Sequence, residues 1–235
     1  MKRILEAAFH HEKHSKVSWM RDVILGGQDG LVNVLGIVLG VAAATKDTKI
    51  LIAASMAAAF AEAVSMAAVA YTSTLAQIDH YEKELQSEAK EIELEPEEEI
   101  EELRQIYRQK GFKGKLLEDI VKTITADKNL WIKTLAREEL SLEKVDRSSL
   151  LKISAIVGVT ALIAAFVPVF PFFFFSHTQA MIVSLVTSCL VLFAIGAYEA
   201  KTYVGSWLKN GLQIMIIGMG AALVGFLIGK IFHVN

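Results

Sequence analysis

Two carboxylates and a thioether stand in segments otherwise suited to lipid. Asp29 is the one charge between Val23 and Thr45, and Glu62 the one charge between Ile50 and Ile78. A carboxylate at the centre of a membrane helix costs roughly 2.5–3.5 kcal/mol on insertion scales, and such groups usually face a cavity that carries ions or protons. Asp29 lies six positions into its run, so an interfacial residue is a second reading of it. Glu62 lies twelve positions in, too deep for that. Met66 follows Glu62 by one helical turn and shares its face. A methionine in a span most often packs against neighbours; beside a carboxylate it is also a soft ligand, of the kind that favours a transition metal over magnesium or calcium.

A second set of carboxylates lies outside these runs. From Asp79 to Glu102 there are 12 acidic residues against Lys83 and Lys90. Glu88 and Glu91 are three apart, as are Glu99 and Glu102, so each pair shares a helix face. A break at Pro96 lets the two helices turn back on each other and bring the pairs together. Convergent carboxylates repel unless cations sit between them, and hard or borderline divalent cations take oxygen ligands. Spacing alone leaves two readings open: a solvated acidic face, or a divalent-metal site.

The elements that must position these groups follow from charge segregation. Gln77–Arg147 holds 19 acidic and 13 basic residues, a balance of -6, whereas the remainder holds 7 and 11, a balance of +4. A charged module is thus set inside an apolar chain of 235 residues that is 53% hydrophobic. That pattern excludes a single soluble globule. Ile153–Tyr198 contains no Asp, Glu, Lys or Arg and is long enough for two passes, broken near PFFFFSHTQ, and Asn210–Gly229 is again uncharged. A bilayer core needs about 20 apolar residues per helix, so five spans are expected. The fold class is all-α: a five-span transmembrane helical protein with a helical, acidic cytosolic insert between spans two and three. The expected organisation is an amphipathic N-terminal segment at 1–19, spans one and two at 20–78, the insert at 79–147, and spans three to five at 148–235.

Basic residues at Lys2, Arg3, Lys13, Lys16 and Arg21, a Lys/Arg-rich insert, and no Lys or Arg in the break between spans three and four fit a cytoplasmic N-terminus; Lys46 and Lys49 run against it. The early residues lack the apolar core of a cleavable signal, and ILEAAFHHEKHSKVSWM reads as a helix lying on the membrane surface. Cys189 is the sole cysteine, so no intrachain disulfide is possible. Within the insert, a helix continues out of span two, and a second starts at Pro96, with Glu97, Glu98 and Glu99 at its positive end, and closes near Gly111. A third carries Leu116, Ile120 and Ile124 at four-residue spacing, and a fourth runs from about Asp127 through LWIKTLAREEL. Small residues fill AASMAAAFAEAVSMAAVA, and Gly36/Gly40 and Gly225/Gly229 form GxxxG pairs, which allow close helix approach within one chain or between two.

These residues resemble the vacuolar iron transporter family over nearly the whole chain. The resemblance is carried by GGQDGLVNVLGIVLG in span one, AEAVSMAAVAYTS in span two, the paired E-x-x-E insert and the three spans that follow. It implies a cytosolic metal-binding insert that collects ferrous iron, a homodimer with the path between subunits, and exchange of metal for protons. By position it implies that Glu88, Glu91, Glu99, Glu102 and Glu139 hold metal in the insert, and that Asp29, Glu62 and Met66 line the path. Leu135 departs from the resemblance, standing where a methionine is implied, and Glu62 lies one turn nearer Met66 than in some relatives.

The resulting expectation is a transporter, not an enzyme. It moves ferrous iron, with manganese, cobalt or zinc as other substrates, out of the cytosol in exchange for protons. No fixed cofactor is expected. The partners are the lipid bilayer, divalent metal ions, protons and a second copy of the chain, with no nucleic acid. The membrane is the cell membrane of a prokaryote or the vacuolar membrane of a eukaryote. A metal-gated channel or other divalent-cation carrier is the alternative. A membrane-tethered ferritin-like protein would need a Glu with a His three residues on, and no Glu in the chain has one.

Overall fold

The computed structural model describes residues 2–138, 145–202 and 205–232, with side chains from residue 19 onward. The helices, in chain order, are α1 (Lys2–Ala44), α2 (Thr48–Leu94), α3 (Pro96–Gln109), α4 (Gly114–Thr125), α5 (Lys128–Glu138), α6 (Leu150–Val169), α7 (His177–Thr202) and α8 (Trp207–Ile231). There is no strand among the described residues. Five of the helices are long and apolar enough to cross a bilayer. Helices are what lipid demands, since backbone polar groups there must be satisfied within the segment. The chain divides into two compact units, one of residues 1–71 and 151–235, the other of residues 72–150.

In the first unit α1 is the hub, and glycine makes it so. A methyl group on Gly40 would stand 2.9 Å from the Gly225 carbonyl oxygen, and one on Gly229 would run into the Gly40 carbonyl. The two GxxxG pairs therefore face each other within one chain, on α1 and α8, which decides the question the sequence left open. Gly30 meets the backbone of Ala161 on α6 in the same way, and Gly158 of α6 would meet the Ala63 carbonyl of α2 at 2.9 Å. Leu31, Val34, Leu35 and Val38 of α1 are fully buried. In a span the alternative to such burial is lipid, so these side chains contribute close packing and not release from water. The outward faces are apolar instead, as Val64, Ile163, Leu190 and Ile216 show, which suits a lipid surround.

The backbone of α1 is helical from Lys2 and has no break near residue 19, where the sequence suggests that a surface segment gives way to the first span. No glycine or proline precedes Gly26 in the chain, so nothing local interrupts the helix. Between α6 and α7 the chain makes a 3-10 turn over Phe170–Phe173. Phe172 is buried there, while Phe170, Phe173, Phe174 and Phe175 are exposed.

The second unit holds the end of α2, then α3, α4 and α5. Pro96 occupies the first turn of α3, and Glu97, Glu98 and Glu99 stand at its positive end. Gly111, at φ +97°, closes the stretch after α3 in a conformation that suits glycine. Ile92, Leu103, Leu117, Val121, Trp131 and Leu135 form the core. On α4 the inward face is Leu117, Val121 and Ile124, with Leu116 exposed. Of the sequence stripe Leu116, Ile120 and Ile124, Ile124 is buried and Ile120 packs against the core, while Leu117 takes the inward place of Leu116, because both are apolar and only the packing partners select between them.

Candidate metal path and metal-collecting site

In the first unit Asp29 and Glu62 are joined through a residue that the charge count passes over. The Asn33 side-chain nitrogen donates to Glu62 Oε1 at 3.0 Å and to Asp29 Oδ2 at 3.3 Å. Asn33 lies one helical turn after Asp29 on α1, and Glu62 comes from α2. Asp29 and Glu62 are half-buried and Asn33 is exposed. Met66, also half-buried, follows Glu62 by one turn of α2. The arrangement offers two anionic oxygen ligands from different helices, an amide between them, and a thioether close by in sequence.

A second carboxylate on α1 escaped the sequence reading because it precedes the uncharged run. Asp22 is 5% exposed and stands seven residues before Asp29, nearly two helical turns earlier on the same side. The Arg21 guanidinium lies 3.7 Å from it. Asp22, Asp29, Asn33, Gly36 and Gly40 thus share one stripe of α1. The signals available in the sequence were the heptad spacing of Asp22 and Asp29 and the amide one turn beyond.

In the second unit the paired glutamates separate by burial. Glu88 on α2 is 3% exposed and Glu99 in the first turn of α3 is 7% exposed. Each precedes a core residue by one turn, Ile92 and Leu103, so both point inward. Their pair-mates do not follow them. Glu91 is exposed and accepts a hydrogen bond from Ser87 at 3.0 Å, and Glu102 is half-buried. Two residues three apart subtend about 300° of a helix, so one can face a core while the other lies at its rim. Glu139 falls outside the described residues. Among the described residues, no group of three or more His, Cys, Asp or Glu side chains gathers about one point. Leu135 is fully buried in the same core as Ile92.

Several acids at the surface of this unit are engaged by bases. Arg104 holds Glu101 and also Glu118 of α4, at 3.1 Å, and Lys128 of α5 holds Glu93. The hydrogen bond from Arg104 keeps the Glu101 carboxyl below its ordinary value. His80 pairs with Glu84 at 3.5 Å and is largely exposed, a surface residue.

These features define a multi-pass helical membrane protein with ionisable groups inside its spans and a separate helical unit that buries carboxylates. The chain belongs to the VIT family, whose model matches residues 20–230. Among curated relatives, it is similar to vacuolar iron transporter 1 of Arabidopsis thaliana, 28% identical over 94% of this chain and 90% of that protein. The vacuolar iron transporter of Plasmodium berghei is likewise 28% identical, over 96% of this chain and 87% of that one. Vacuolar iron transporter 1 of Oryza sativa is 27% identical, over 94% and 88%.

Proposed function

We propose that this chain is a metal transporter that moves ferrous iron, and manganese as a second substrate, out of the cytosol in exchange for protons. The observation that supports it most is the Asp29–Asn33–Glu62 constellation, two carboxylates from different helices held to one amide nitrogen. Carboxylates kept in lipid-crossing helices at the cost noted above are retained for an ion or proton path. Asp29, Glu62 and Met66 receive the metal, and protons arriving from the far side neutralise the carboxylates and release it.

The insert feeds this path. Glu88 and Glu99 are buried beside the apolar core of this unit, and carboxylate oxygens are the ligands that hard and borderline divalent cations take. With Glu91, Glu102 and Glu139 they form the collecting site for divalent metal on the cytosolic side, where the N-terminus also lies. Leu135 removes a soft ligand from that site, which favours oxygen-loving ions such as manganese and ferrous iron over softer ones.

The transporter is a homodimer. Asn33 is exposed on a helix otherwise bounded by apolar residues, and polar groups are costly against acyl chains. A second copy laid on this face of α1 covers them and closes the path between subunits. Crosslinking through Ile37→Cys, in a chain with Cys189→Ser, should then trap dimers in native membranes.

The deciding experiment is uptake by proteoliposomes offered ferrous iron, manganese, cobalt or zinc under an imposed pH gradient. Metal uptake that rises with the gradient, accompanied by counterflow of protons, is the expected result. Flux indifferent to the gradient would favour a metal-gated channel in which the insert senses and does not supply the pore. Absence of flux for every metal would end the proposal.

A further inference from the structure

We infer that Asn33 is a positioning residue of the intramembrane site: its amide NH2 ties the Asp29 carboxylate of α1 to the Glu62 carboxylate of α2 and competes with a divalent ion for their oxygens. This rests on the transport reading of the same constellation. An amide NH2 has two N–H donors and ionised carboxylates are acceptors only. One donor serves each acid, at 3.3 and 3.0 Å. The bridge spans two helices and 29 residues of sequence, so it sets their mutual register at this depth, not merely the rotamer of a neighbour.

The same geometry puts the amide in competition with the ion. Oxygen ligands stand about 2.0–2.2 Å from a divalent transition metal, about 1 Å less than the present distances to the amide nitrogen. An ion bound at that spacing takes the carboxylate oxygens that the NH2 group now engages. Loading must therefore expel the amide, and unloading lets it return. Asn33 stabilises the empty site in place of an ion, which weakens binding and speeds release. Two bare carboxylates with no such bridge would hold metal more tightly and part with it more slowly.

The test uses the full chain in proteoliposomes, with manganese as the probe. Asn33→Leu keeps the side-chain size and removes both donors. It should lower the KM for manganese about tenfold, which is about 1.4 kcal/mol, and lower kcat by a similar factor. Asn33→Ser keeps one donor and should fall between Asn33→Leu and the native chain. Unchanged KM and kcat in both variants, or a raised KM, would overturn the inference, the latter because it marks a plain ligand. If Asn33→Leu does not fold, the serine variant decides by the same criteria. If the native chain moves no metal at all, the transport reading fails and binding decides for Asn33. Calorimetry with manganese should then show tighter binding by Asn33→Leu than by the native chain, and no effect of the same substitution once Asp29 and Glu62 are both alanine. Equal affinities there would sink it.

Discussion

Glu88 and Glu99, from consecutive helices α2 and α3, are both buried, and each stands one turn ahead of a residue of one apolar core, Ile92 and Leu103. Changing both to Gln should remove anionic oxygen ligands for metal while keeping the side-chain size. Manganese at a hundred times its Kd should stabilise the native chain by about 2.7 kcal/mol by mass action and do little for the double variant. Thermal melts with and without chelator read the difference. A native chain indifferent to manganese would show the insert to be no metal collector.

Glu91 is exposed and Glu102 half-buried, so their loss should weaken metal binding by the insert less than loss of Glu88. Calorimetric titration of Glu91→Gln beside Glu88→Gln checks the order. The reverse ranking would mean that metal binds at the rim.

Asp29→Ala should abolish proton-coupled uptake in liposomes, because it removes one of the two acids that share the Asn33 amide. Glu62→Gln should do nearly the same. Uptake as fast as in the native chain would take the altered acid out of the path.

Acid should loosen the Glu101–Arg104 pair of α3. The folded state holds Glu101 below its ordinary value of 4.5, so the folded form binds protons less readily than the unfolded one. The resulting stabilisation is full above that value and is lost as pH falls through the depressed folded value. The ion pair is solvent-exposed, so the effect is small. Amide exchange of α3 in the full chain, compared at neutral pH and at about pH 3.5 after correction for intrinsic rates, should show the loss. Arg104→Ala should flatten it.

How far the sequence reaches into this molecule depends on the range of the forces involved. Five spans are legible because insertion into lipid depends on counts of charge over about 20 residues, and Asp29 and Glu62 stood out against that count. Pro96 and Gly111 marked helix ends because their constraints lie in one residue's backbone. Asn33 stayed hidden since its importance lies in the register of α1 against α2, and an uncharged amide leaves no mark in a charge count. The partner of Gly36 and Gly40 stayed open for a related reason: a small-residue face permits close approach without saying by what. On α4, Leu116 and Leu117 are equally apolar, and only the position of Trp131 and Leu103 selects the inward one.

The turn between α6 and α7 carries a mechanical consequence. Four exposed phenylalanines, Phe170, Phe173, Phe174 and Phe175, give this hairpin an apolar end that suits lipid better than water. Dragging their rings into water would forfeit on the order of 1.5–3 kcal/mol apiece. Vertical sliding of α6 and α7 through a bilayer is thereby resisted.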